Sequence, residues 1–284
     1  MYTVVKTLNN NSVLVQDASG VSMIFLGKGI GFGKKNGDSI TLGAGVELYR
    51  FTETNDNGDA MEIIQEVNPV FIEVAGRILQ LAQARFHEVD KNILLPLADH
   101  IAFSIERMKA NMDISNPFAS EIALLYREEY EVALQGKAII EEMCGYTINE
   151  GEIGYITLHV HSARGEDKVS EAMQTAVIIR DSIEEVERDY GISIDTNSMS
   201  YTRLMNHMKF LMLRLQSDEE LQMDVGDYVS KQFPYAYKTA QKICEELRKV
   251  YHKDIPETEI GYLALHIERV RTSEMKKLKE RIAG

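Results

Sequence analysis

An internal duplication constrains this chain more than any other feature of its sequence. The twelve residues Ile148-Asn-Glu-Gly-Glu-Ile-Gly-Tyr-Ile-Thr-Leu-His159 return as Ile255-Pro-Glu-Thr-Glu-Ile-Gly-Tyr-Leu-Ala-Leu-His266, with eight positions identical. His100 and His207, Arg107 and Arg214, and Tyr130 and Tyr237 keep the same spacing of 107 residues. A period of that length is a domain rather than a solenoid unit. Two homologous copies of about a hundred residues follow, with a boundary near Ser162–Glu171, where Ser-Ala-Arg-Gly-Glu-Asp-Lys interrupts the apolar pattern.

Within the copies, apolar residues recur at helical spacing, as in Ile63-Ile64, Val67, Phe71-Ile72, Val74-Ala75 and Ile78-Leu79. The first fifty residues differ. TVVKTL, SVLVQD, SMIFLG, DSITL and VELYRF are short apolar or alternating runs between Asn-Asn-Asn, Ala-Ser-Gly and Asn-Gly-Asp turns. The polar segment Glu53–Asp59 reads as a linker. The expected architecture is a multidomain β plus all-α chain: a small antiparallel β domain at 1–55, then helical bundles at 60–168 and 171–280. So small a sheet buries little on its own, which predicts dimerisation or support from a partner.

Charge divides the same way. Residues 1–52 carry five basic and three acidic side chains, although the whole chain of 284 residues has a formal charge of −13. A slightly basic module tied to an acidic remainder suits a protein that meets a polyanion at one end only. Cys144 and Cys244 have no ligand spacing, and they read as reduced, buried thiols of a cytoplasmic protein. No stretch is long and apolar enough to span a bilayer, and Met1–Asn11 alternates like a strand rather than a leader peptide.

Each copy holds two histidines. One follows Glu-Ile-Gly-Tyr-x-x-Leu, so that Glu152 and His159, and Glu259 and His266, stand about two helical turns apart on one face. The other lies in Asp99-His100 or Asn206-His207, seven residues before an arginine. Two readings compete. Duplicated cores can retain satisfied core histidines, whereas a neutral imidazole is also a phosphoryl acceptor near neutral pH. Two histidines per copy at one shared offset favour acceptors. Arg107 and Arg214 are then candidates to bind a phosphate and Asp99 to orient the ring. His159-x-His161 is not duplicated, since position 268 is Glu, so no metal site is expected; nor is a cofactor. His87 and His252 have no repeat partner and read as surface residues.

In Gly27-Lys-Gly-Ile-Gly-Phe-Gly-Lys-Lys35 glycine alternates with Lys28, Ile30, Phe32 and Lys34, in neither a Walker nor a dinucleotide spacing. If extended, one face is bare and the other presents cations and an aromatic ring. That suits RNA, read through phosphate contacts and base stacking; a glycine-rich turn with incidental lysines is the other reading.

Taken together, Lys6-x-x-Asn-Asn-Asn11, Gly27-Lys-Gly-x-Gly-Phe32 and the two Asp/Asn-His…Glu-Ile-Gly-Tyr-x-x-Leu-His copies resemble the transcriptional antiterminators of sugar operons. Those proteins join a co-antiterminator RNA-binding domain to two phosphotransferase-system regulation domains. Gly-Phe-Gly-Lys-Lys and Leu-His-Val-His are most similar to the glucose-type branch. The resemblance implies a homodimer that binds an mRNA hairpin and prevents termination. It implies RNA contacts at Lys6, Asn11, Gly27, Lys28, Gly29 and Phe32, with Lys28 standing where many relatives have Arg. It also implies phosphorylation at His100, His159, His207 and His266. The phosphoryl donors it implies are a sugar-specific transporter EIIB component, of the glucose type, for the first copy and the histidine phosphocarrier protein HPr for the second. Asn206, where the first copy has Asp99, departs from the pattern. A phosphohistidine relay enzyme and a DNA-binding activator are the rival classes. The first lacks a nucleotide motif, and the second needs a helix-turn-helix where this chain has strands.

Overall fold

A computed structural model describes residues 1–50, 54–55, 58–112, 115–165, 167–217, 219, 221 and 223–283. The chain divides into two compact units, Met1–Asn116 with Glu128–Gly165, and Pro117–Arg127 with Glu166–Gly284.

The first unit begins with strands β1 (Tyr2–Asn9), β2 (Ser12–Gln16), β3 (Ser22–Leu26), β4 (Ser39–Ile40) and β5 (Glu47–Arg50), all antiparallel in the order β4-β1-β2-β3-β5. The expected β domain is therefore present, with its fourth strand cut to two residues. The two-residue side-chain period sorts the apolar residues onto two faces. Val4, Val13, Val15, Met23, Phe25 and Ile40 form one cluster, whereas Leu14, Ile24, Leu26 and Tyr49 belong to the core of the helices. In the linker reading at Glu53–Asp59, positions 53, 56 and 57 lie outside the described residues; Thr54–Asn55 (β6) and Gly58–Asp59 (β7) pair as a short hairpin.

Helices α1 (Ala60–Glu66), α2 (Pro69–Phe86), α3 (Leu94–Lys109), α5 (Arg127–Cys144, all but its first residue) and α6 (Glu150–Ser162) complete this unit, α4 (Ala119–Leu125) belonging to the other. Asn68 caps α2 through the Val70 N–H, with Pro69 in the first turn, and Asn149 caps α6 through Glu152 N–H. The sheet lies directly on α2. A Cβ on Gly76 would stand 2.2 Å from Leu26 Cδ1, and Tyr49 Oη donates to the Gly76 carbonyl at 3.4 Å. The support expected for so small a sheet comes at least in part from its own chain.

The second unit contains α7 (Val169–Tyr190), α8 (Met199–Ser217), α9 (Gly226–Gln232), α10 (Pro234–Tyr251), α11 (Glu257–Ala283) and α4. Residues 117–127, inside the 60–168 reading of the first copy, thus pack with these helices. Buried Glu121 of α4 accepts from Tyr201 Oη at 2.9 Å, and Arg180 lies 3.5 Å from it. Cys244 is buried and Cys144 only half-buried. Exposed His87 and His252 end α2 and α10 with positive φ, 68° and 51°. No described helix is long and apolar enough to cross a membrane.

Candidate RNA interface and histidine pairs

The glycine-rich segment is not extended. Ile30, Phe32 and Lys34 N–H donate to the carbonyls of Gly27, Gly29 and Gly31, each at 3.1 Å, so three tight turns follow one another. Gly29 and Gly33 take φ of +73° and +69°, where a Cβ is strained. Gly31 is required for a different reason: a Cβ there would lie 2.1 Å from the Asn9 carbonyl oxygen. The bare-face expectation is therefore replaced by a folded loop, whose glycines serve backbone geometry.

That loop is laced to the β1–β2 turn. Gly27 N–H donates to the Asn11 carbonyl at 2.9 Å, Gly31 N–H to the Asn10 carbonyl at 3.0 Å and Gly29 N–H to Asn11 Oδ1 at 2.9 Å. Thr7 Oγ1 donates to the Lys34 carbonyl at 2.8 Å, which binds the loop to β1 beside Lys6. Asn11, Gly27, Lys28, Gly29 and Phe32 are thereby gathered in one place, with Lys6 on the adjoining strand. Lys6, Lys28 and Phe32 are exposed, Phe32 to 76%. An apolar ring so placed gains nothing from the core and is available for stacking.

In the first copy, the His100 ring on α3 faces His159 on α6 with centroids 5.1 Å apart, and Tyr155 lies 5.4 Å from His100. Glu152, one turn from Tyr155, brings its carboxylate 3.2 Å from His100 Nε2 and accepts from Arg107 Nη2. In the second copy His207 stacks on His266 at 4.7 Å with 24° between planes. Arg214 holds Glu259 through two bonds of 2.6 and 2.8 Å, and the carboxylate stands 3.7 Å from His207 Nε2. His159 Nδ1 and His266 Nδ1 have no hydrogen-bond partner among the described residues.

Burial dominates the electrostatics. His159, 8% exposed, is pushed down to about 3 by desolvation and by the neighbouring His100 charge. His207 falls to about 3 through desolvation, then His266 and Arg214, and His266 is lowered by desolvation, Arg269 and Arg203. Glu152 is raised by burial, but hydrogen bonds and charge from His100 and Arg107 outweigh this and leave it below the usual carboxylate value. His159, His207 and His266 are therefore unprotonated, nucleophilic imidazoles at neutral pH.

Asp99 and Asn206 are exposed, and the carboxylates facing His100 and His207 are Glu152 and Glu259. Neighbouring helical residues point about 100° apart, so a residue beside an inward histidine faces outward. Arg107 and Arg214 do reach the sites, through the glutamates. The glutamates carried a signal in the sequence, their fixed spacing of seven from His159 and His266. Copy-specific cations carried none: Arg203 and Arg269 are exposed near His266, and the matching first-copy positions are Pro96 and Ser162.

Known proteins resemble this chain over nearly its whole length. The CAT RNA binding domain model matches residues 2–57, and the PRD domain model matches twice, at 76–163 and 180–270. The GlcA/glcB genes antiterminator of Staphylococcus carnosus (strain TM300) is 31% identical over 271 residues, covering 94% of each chain. Protein GlcT of Staphylococcus haemolyticus (strain JCSC1435) is 33% identical over 270 residues, 94% of this chain and 95% of its own. A solved structure described as GlcT CAT-PRDI is 33% identical over 57% of this chain and 97% of its own, with a TM-score of 0.49. The chain belongs to the family of transcriptional antiterminators built from a CAT RNA-binding domain and two PRD domains.

Proposed function

We propose that the chain prevents termination in a sugar-phosphotransferase operon by binding an mRNA hairpin, as a cytoplasmic homodimer and not as an enzyme. In this reading the domains are 1–55, 60–168 and 171–280, and RNA is bound by Lys6, Asn11, Gly27, Lys28, Gly29 and Phe32. The observation that carries the regulatory half is the pair of closely facing histidines repeated in both copies beside an Arg–Glu pair. His100, His159, His207 and His266 are the phosphoryl acceptors. An unprotonated ring nitrogen forms a P–N bond as the bond between phosphorus and the donor side chain breaks; the donor atom leaves with that electron pair and can take up the proton of the other ring nitrogen. The donors are HPr and a sugar-specific EIIB component, of the glucose type to which Gly-Phe-Gly-Lys-Lys and Leu-His-Val-His are most similar.

A phosphate adds roughly −1.5 to −2 charges. At His100 Nε2 it would stand against Glu152, 3.2 Å away, and draw Arg107 from that carboxylate. Mapping of phosphopeptides after incubation with HPr and a glucose-type EIIB tests the assignment: label confined to other residues refutes it. Lys28→Ala with Phe32→Ala is expected to abolish binding of the leader hairpin in a gel shift, and undiminished binding removes the RNA assignment.

A further inference from the structure

The RNA loop and the helices of the first unit meet at Asn11. Its Oδ1 orders the loop by accepting from Gly29 N–H, and its amide N–H groups are the donors it can offer a ligand. Those groups point at Glu73 of α2: Asn11 Nδ2 lies 3.1 and 3.3 Å from the two carboxylate oxygens. Asn9 Nδ2 reaches the same carboxylate at 3.4 Å, while Asn9 Oδ1 is engaged by Asn11 N–H and Ser12 Oγ, both at 2.8 Å. Glu73 is not a loose surface side chain. It is 14% exposed, and its helix is fixed to the sheet one turn later, at Gly76. Arg77, its ion-pair partner at 3.4 Å, is itself largely exposed and offsets the charge weakly.

A carboxylate offers what RNA offers: anionic or carbonyl oxygens that accept from amide N–H. It also places a negative charge beside a loop that, on the reading above, meets phosphates. We propose that Glu73 is an intramolecular competitor for RNA, occupying the Asn11 and Asn9 amide donors, so that the hairpin must displace α2's carboxylate to complete its contacts. The inference rests on Asn11 being an RNA-binding residue. It also connects the two halves of the protein, because α2 packs against α3, which carries His100.

The test uses the full chain and an RNA hairpin enriched from a randomised pool on the wild-type protein. Glu73→Gln removes the charge but keeps the shape, and Glu73→Ala removes the acceptor. The expected result is tighter binding, about three- to tenfold for Glu73→Ala and less for Glu73→Gln, as for release of a charge-assisted hydrogen bond. Unchanged or weakened affinity in both variants, with native circular dichroism, overturns the proposal; weakened affinity would mean that Glu73 orients Asn11 for RNA instead. Lys28→Ala separates the two levels. If it loses the hairpin while the Glu73 variants gain nothing, only the competition is wrong. If Lys28→Ala binds as well as wild type, or no hairpin is enriched, the RNA reading fails and the competition with it.

Discussion

Mild acid should loosen both units through their buried histidines. His159 and His207 have folded pKa values of about 3 against about 6.5 in an unfolded chain. A histidine lowered in this way binds more protons when unfolded. Its contribution is complete above about pH 6.5 and is lost as pH falls towards the folded value. Between pH 7.5 and 5.0 each group loses about 2 kcal/mol, from about 1.5 pH units at 1.36 kcal/mol each. His266 is lowered too and acts in the same direction.

Two other effects can be separated from this one. Glu129, depressed to about 2 because His161 and Arg164 outweigh its burial, loses its contribution only below about pH 4.5. Acidification also reduces the net charge of −13, which eases self-repulsion and works against the predicted loss. Urea titrations followed by circular dichroism at pH 7.5, 6.5 and 5.0 are therefore informative. A loss of about 2 kcal/mol in one unit moves its midpoint down by about 1 M. The double variant His159→Gln/His207→Gln should lose most of the pH dependence. An unchanged wild-type midpoint from pH 7.5 to 5.0, or a double variant that tracks the wild type, refutes the assignment of buried neutral rings.

Three substitutions test the packing. Gly31→Ala drives a Cβ into the Asn9 carbonyl oxygen, so the loop should detach from the β1–β2 turn; loss of the Gly31 amide's hydrogen-exchange protection is the readout. Gly76→Ala forces Leu26 aside and should cost about 1–3 kcal/mol in chemical denaturation, as overpacking does. Arg214→Ala strips buried Glu259 of its bidentate partner and should cost about 3–5 kcal/mol. Arg214→Ala with wild-type stability at pH 7.5 would show that the ion pair is not formed.

The histidine pairs were legible because duplication makes a sequence its own comparison: four rings at one offset could be paired before any coordinate was known. The strands were legible from alternation. The conformation of Gly27–Lys35 was not, since a Gly-x-Gly-x pattern fits an extended ribbon and a run of turns equally well. What decided it were hydrogen bonds to Asn10 and Asn11, sixteen or more positions away. Glu73 was invisible for the same reason. On an amphipathic helix it is one more polar residue, and only the seating of the sheet on α2 gives it Asn9 and Asn11 as partners. Asp99, the candidate to orient the ring, is adjacent to His100 in sequence, but adjacency along a helix separates side chains, whereas a second helix supplies the contact from Glu152.

Duplication preserved the rings but not what surrounds them, and the difference has a measurable sign. At 159 the ring is buried and the titratable side chain that acts on it is another histidine, His100. At 266 it is half-buried, and Arg203 and Arg269 both act on it from exposed positions. A negative group introduced at 159 therefore loses its hydration without gaining a cation, at a cost of several kcal/mol. At 266 each arginine returns something on the order of 1 kcal/mol, and solvent supplies part of the rest. His159→Asp should accordingly destabilise the chain in urea by at least about 2 kcal/mol more than His266→Asp. Removing Arg203 and Arg269 should raise the cost of His266→Asp while leaving that of His159→Asp unchanged. Equal costs in the original chain, or indifference to the arginines, would mean that the two pairs present the same environment to an added charge. The predicted inequality instead makes a negative charge disruptive at 159 and tolerated at 266.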